Sequence, residues 1–229
     1  MVNQKRCGKG SVYNCIEIMA EHNNTEKAVL EAAEAVFMEK GYRKATTTAI
    51  AAKAGVTHAM LHYYFRTKEQ IFLKVVDRNV SEMMAELVSV MSPDLPVWEI
   101  VKGVVNKHFE FLGRHRRIPH LMLEMAEDFP EVMQAYKDRI TDAVTEEIAR
   151  HRQRFLQEAL DGRMNEVEPV QLLFFVISSN ISAYLSVTVL ENVLKWPEEK
   201  VSDFLESRRE ETLKSLYARL YFKDIPENI

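Results

Sequence analysis

Residues 41–72 read GYRKATTTAIAAKAGVTHAMLHYYFRTKEQIF. From Lys40 to Lys68 the chain holds six Lys/Arg (Lys40, Arg43, Lys44, Lys53, Arg66, Lys68) and no Asp or Glu. The protein has 34 acids on 229 residues, so a run this long would ordinarily hold about four. An acid-free basic surface suits contact with a polyanion.

The apolar spacing inside the stretch says how that surface is built. Ile50, Ala51 and Ala54 share one face of a short helix that Thr46 or Thr47 can cap. Gly55 follows as a stop able to take positive φ, and Val56 plugs the bend. Thr57 can cap a second helix whose inner face is Leu61 and Tyr64. Two short helices with alanine at their crossing and glycine at the bend predict a helix-turn-helix. Its second helix turns out Thr57, His58, Ala59, Met60, His62 and Tyr63, groups that bond or make methyl contact with base edges and phosphates. His58, Met60 and Tyr63 are the expected base readers; Thr47, His62 and Lys68 are the expected phosphate contacts, with Thr46 and Thr48 beside them. A plain helical hairpin with a solvated basic face has the same periodicity, so the pattern alone leaves both readings open.

Several submotifs in order carry a more specific resemblance. Gly41-Tyr42, the Thr46-Thr47-Thr48 cluster, Ile50-Ala51, Ala54-Gly55-Val56-Thr57, then Leu61-x-x-Tyr64-Phe65 and Thr67-Lys68-Glu69, resemble the N-terminal domain of tetracycline-repressor-type (TetR family) transcription regulators. The resemblance covers about residues 25–76. The chain departs from the family at His62, where tyrosine is usual, and at Ala59, where glycine is frequent; a histidine still bonds phosphate. The resemblance implies a body that dimerises through its last two helices and holds a small-molecule pocket among the helices before them.

Upstream, a helix is expected from Thr25, opened by Asn23 and Glu26 as a capping box, with Val29, Ala33, Val36 and Phe37 inward and Gly41 as its stop. Residues 1–24 read as a flexible N-terminal extension. Both cysteines, Cys7 and Cys15, lie there, so no disulfide framework is expected and a reducing cytoplasm is the expected location. Downstream, Thr67 and Gln70 make a second capping box for a helix running to about Met91.

Few Gly and Pro, with abundant Ala, Leu, Glu, Lys and Met, predict an all-α protein of about nine helices. Residues 25–76 form the helix-turn-helix DNA-binding domain, net +3, and residues 77–229 a helical ligand-binding and dimerisation domain, net −8. A basic head on an acidic body fits a DNA reader joined to a module kept off DNA. The body helices are expected over 97–112, 118–126, 130–160, 170–190 and 197–222. His108 falls on an apolar stripe with Val97, Val101, Val104 and Phe111, either as a satisfied core histidine or as a ligand contact. Met122 and Met125 fit plain core or an adaptable pocket. With Phe174, Asn180 and Tyr184 these residues make the candidate ligand site, apolar with few polar groups, for a hydrophobic or amphipathic compound.

Residues 170–190 carry no formal charge, which raises a membrane span. Gln171, Asn180 and the serines are too polar for a lone span, so a helix buried on most sides of a soluble body is expected. Ser178, Ser182 and Ser186 give it a small-residue face. There is no HExxH, no glycine-rich phosphate loop and no catalytic constellation; no enzyme activity, cofactor or metal is expected. The expected partners are an operator DNA, a small-molecule effector and a second copy of the chain, with no membrane. The expected function is a ligand-responsive regulator, most simply a repressor released from a palindromic operator. An activator, or a helical small-molecule-binding or interaction protein without operator binding, is the alternative.

Overall fold

Nine helices make up the residues that the computed structural model describes, 12–92 and 94–222. They are α1 (Val12–Lys44), α2 (Thr47–Ala54), α3 (His58–Tyr64), α4 (Lys68–Ser89), α5 (Val97–Arg114), α6 (Ile118–Asp128), α7 (Pro130–Leu160), α8 (Pro169–Asn192) and α9 (Glu198–Tyr221). Among the described residues there is no strand, and the all-α expectation holds. Prolines stand in the first turns of α6, α7 and α8, where no N–H is needed. Gly55 and Gly162 end α2 and α7 in the left-handed region, both with φ 69°.

Most boundaries lie within two residues of the reading of the sequence, and the start of the first helix differs by far more. The first helix begins at Val12, not at Thr25, and Asn23 and Asn24 lie inside it. An interior asparagine costs only about 0.6 kcal/mol against alanine, less than nucleating a new helix. Residues 12–24, expected as part of a flexible extension, are helical in the structure, and residues 1–11 lie outside the described residues. Gly41 (φ 75°, ψ 168°) breaks the helix as expected, with a short turn to Lys44 beyond it.

The chain divides into two compact units between Asn79 and Val80. In the first, Val29, Ala33, Val36 and Phe37 of α1 are buried with Ile50, Ala51 and Leu61 of the two short helices and Ile71, Phe72 and Val75 of α4. Three rings lock this core. Phe37 stacks on Tyr42 at 5.8 Å, and Phe72 meets Phe37 and Tyr42 edge-on at 5.3 and 4.9 Å.

The second unit is built around α5, which packs on α7, α8 and α9. One cluster joins Val97, Val101, Val104 and Val105 to Phe155, Leu172, Val176, Leu216 and Leu220. A second joins Phe109, Phe111 and Leu112 to Ala183, Tyr184, Val187, Val201 and Leu205. The spacing of Val201, Phe204, Leu205, Leu213, Leu216, Tyr217 and Leu220 predicts the inner side of α9; Tyr217 is instead 43% exposed and rests edge-on against Trp98, while Thr212, outside that pattern, is buried. The spacing of Met133, Tyr136, Ile140, Val144, Ile148 and Phe155 predicts an inward stripe on α7; the side chains of Tyr136 and Ile140 lie outside the described residues.

α8 is long and apolar enough to cross a membrane by length and composition, and only a third of its apolar window is buried. The expectation of burial on most sides is therefore wrong. Its inner side is filled by Leu172, Val176, Asn180, Ala183 and Val187, while Phe174, Ser178, Ser182 and Val189 face outward. The three serines return their hydroxyls to the helix itself: Ser178 to Phe175 O (3.2 Å), Ser182 to Ser179 O (2.9 Å) and Ser186 to Ser182 O (2.8 Å). With the hydroxyls satisfied locally, the serines present only small groups outward, between the exposed side chains of Phe174 and Val189.

Candidate nucleic-acid interface

Local chemistry builds α2 and α3. Thr46, extended at φ −123° and ψ 148°, accepts the Ala49 N–H at 3.1 Å, and Thr57 accepts the Met60 N–H at 3.1 Å. Between them the Gly55 N–H goes to Ala52 O and the Val56 N–H to Ala51 O, the two bonds of a Schellman stop. The next helix opens as the spacing predicts, one residue shifted. Thr67 accepts the Gln70 N–H at 3.2 Å, and the Gln70 side chain reaches back to the Arg66 N–H at 3.0 Å.

The outward face of α3 is open. Tyr63 is 75% exposed and Met60 44%, and His58, Ala59 and His62 are exposed with them. His58 does not stand alone. Its Nε2 lies 3.1 Å from Thr47 Oγ1 and 3.2 Å from His62 Nε2, tying the front of α2 to successive turns of α3. The three side chains act as one polar ridge with methyl-bearing Ala59 and Met60 beside it.

Lys68 is placed differently from the open phosphate contact the sequence suggested. Its ammonium donates to Tyr42 O (3.0 Å) and Ala45 O (3.2 Å), closing the carbonyl end of α1, and sits 4.3 Å from the centre of the Tyr42 ring. Two of its three hydrogens are thus committed. Tyr42 in turn donates its hydroxyl to Glu69 Oε1 at 3.0 Å. Bonds from the Glu69 backbone N–H, then from Thr67 and Tyr42, hold that carboxyl below its ordinary range. The Lys68–Tyr42–Glu69 network escaped the sequence reading because it joins residues 26 and 27 apart.

The candidate ligand residues do not gather around an opening. Asn180 Nδ2 lies 3.2 Å from both Val105 O and His108 Nδ1, with both residues buried. A carbonyl only accepts, so this atom is the amide nitrogen, and its second hydrogen faces the ring nitrogen. Burial pushes His108 down to about 4 from 6.5. Tyr184 donates to Phe109 O at 3.0 Å, and burial pushes its phenol up to about 12. Phe111 and Met125 are fully packed and Met122 is half-buried. Phe174 points the other way and is 68% exposed, so it lines no interior pocket. The sequence assigned it inward because α8 is apolar on almost every side and its periodicity marks no single face.

A cavity of about 60 Å³ does exist in the second unit, elsewhere along the same helices. Ile100, Val101 and Val104 of α5, Ile148, His151 and Phe155 of α7, and Leu172, Leu173 and Val176 of α8 line it, with Met91 and Pro169. None of the seven candidate ligand residues does. His151 falls in the heptad-like spacing Val144, Ile148, His151, Phe155, so the stripe itself was the signal that could have singled it out.

The description of bacterial regulatory proteins of the tetR family matches residues 29–75, the segment that folds as the three-helix head and the start of α4. The fatty acid metabolism regulator protein of Bacillus subtilis is 23% identical over 165 residues, 69% of this chain and 81% of its own length. The HTH-type transcriptional repressor BepR of Brucella suis is 42% identical over 59 residues, 26% of this chain and 28% of its own. A TetR transcription regulator from Haloarcula marismortui shares the fold, with a TM-score of 0.64 at 17% identity over 86% of this chain and 99% of that one. The submotifs, the capped helix-turn-helix and the family match agree: residues 29–75 are the helix-turn-helix domain of bacterial regulatory proteins of the tetR family.

Proposed function

We propose that the chain is a cytoplasmic, ligand-responsive repressor that binds a palindromic operator as a homodimer. The observation that carries this reading is the outward face of α3: exposed His58, Met60, His62 and Tyr63 within a run from Lys40 to Lys68 that holds six cations and no acid. His58, Met60 and Tyr63 read base edges, and Thr46, Thr47, Thr48, Thr57 and His62 meet the backbone, with the remaining Lys68 hydrogen beside them. A helix of seven residues covers about four or five base pairs, too few for a genomic address, so a two-fold partner is needed. The outward face of α8, joined by α9, is the surface for that partner, its small residues suited to close helix packing. The second unit receives a hydrophobic or amphipathic effector, and α4, which carries residues of both units without an interior Gly or Pro, passes the effect on. Repression rather than activation follows the Brucella relative, which is a repressor.

Selection of bound duplex from a random pool tests the reading. The expected product is an inverted repeat, with affinity falling steeply with salt. A pool that stays unselected and binds with little salt dependence would instead favour a helical small-molecule-binding protein without an operator.

A further inference from the structure

The apolar cavity of the second unit has one polar feature. His151 is 2% exposed, and neither ring nitrogen has a partner among the described residues. Its Nε2 lies 3.7 Å from Oε2 of Glu147, one turn earlier on α7. That oxygen is also buried and unpartnered, while Oε1 accepts from Arg150 at 2.7 Å. The other ten lining residues are apolar.

We propose that this cavity binds an apolar molecule through a neutral hydrogen-bond donor, a hydroxyl or an amide N–H, held by His151. The reading rests on the second unit being the effector domain, and it names the class of effector. In this proposal the imidazole carries its one hydrogen on Nε2, the nitrogen that lies 3.7 Å from a Glu147 oxygen able only to accept. Nδ1 is then an acceptor in an apolar wall, and only a donor on the ligand satisfies it. A carboxylate ligand has no hydrogen to offer, and it would stand beside the free oxygen of Glu147. Size sets a second limit. A cavity of about 150 Å³ takes benzene, so 60 Å³ takes the polar head and a few carbons. The rest of the molecule leads out past Met91, Ile148, Pro169 and Leu173, which are only partly buried.

Three probes of equal size decide the matter: hexan-1-ol, its isomer 1-methoxypentane, and hexanoate, titrated into the full chain by calorimetry. Hexan-1-ol should bind at least about tenfold more tightly than either of the others. His151→Phe should erase that preference, and Ile148→Phe, which fills the cavity, should abolish binding of all three. The ring ¹⁵N shifts of His151 in the native chain should move on saturation with the alcohol, a readout that needs no variant to fold. Equal affinity for alcohol and ether, tighter binding of hexanoate, unmoved ¹⁵N shifts, or no binding by any probe would each overturn the proposal. Operator release is measured separately. A probe that binds at His151 and leaves operator affinity unchanged overturns the effector reading of the unit and spares the site, whereas an empty cavity in a chain that still selects an operator does the reverse.

Discussion

His108 and Asn180, 72 residues apart, meet inside the second unit: the Asn180 amide nitrogen lies 3.2 Å from His108 Nδ1, with both side chains buried. Protonating Nδ1 would set two donors face to face, and burial already disfavours the charged ring, whose value falls from 6.5 to about 4. Between those values the unfolded chain takes up a proton that the folded chain refuses, so stability falls as pH drops through 6.5 and levels off near 4. Urea melts at pH 7 and pH 4.5 should show the native chain losing roughly 2–3 kcal/mol more than His108→Gln, which removes the titrating group. Equal losses would mean that His108 accepts a proton without unfolding.

Lys68 links stability to DNA contact. Lys68→Ala removes bonds to Tyr42 O and Ala45 O and the ring contact with Tyr42, and should destabilise the head by about 1–3 kcal/mol. If its remaining hydrogen meets a phosphate, the variant also binds all sequences more weakly and its salt slope falls by about one. Melting curves and salt titrations separate the two effects, because a purely structural lysine changes the first and leaves the slope alone.

Glu158 closes the front of a distant helix. Pro96 supplies no side-chain cap to α5; instead Glu158 Oε1 accepts the Val97 N–H at 3.3 Å and Arg154 Nε at 3.0 Å, with Glu158 4% exposed. Glu158→Ala strands the buried Val97 N–H, while Arg154, a third exposed, turns to water; the change should cost about 1–3 kcal/mol in denaturant unfolding. Glu158→Gln keeps an acceptor and should cost less.

Gly103 is a close approach rather than a flexible point. A Cβ there would lie 2.9 Å from Cβ of Val90. Alanine favours a helix by about 1 kcal/mol over glycine, so an unhindered Gly103→Ala would stabilise α5. Here Val90 must shift, and thermal melting should show a net loss of about 1–2 kcal/mol. Relief by the pair Gly103→Ala with Val90→Gly, which removes that Cβ, would trace the loss to this contact.

The proposed homodimer has its own test on α8. Ser182→Arg sets a charged chain on the small outer face without touching the inner one, so the fold should survive while the chain sediments as a monomer and its operator affinity drops at least tenfold. A native chain already monomeric at micromolar concentration would remove the basis for the dimer.

What the sequence by itself determined is local. Thr46, Gly55, Thr57 and the Thr67–Gln70 pair mark helix ends because a cap is a bond between near neighbours, and the spacing of Ile50, Ala51 and Leu61 marks the buried face of the head. The acid-free run was equally plain, since charge needs no fold to be counted. Only the tertiary structure decided that Lys68 turns back to Tyr42 and Ala45, that Asn180 meets His108, that Phe174 faces outward and that His151 lines the cavity. The reason is the same in each case. Periodicity tells which side of a helix is apolar, while the neighbour that covers it comes from another part of the chain. On α8, with small or apolar residues nearly all round, even the side had to be set by packing against α5 and α9.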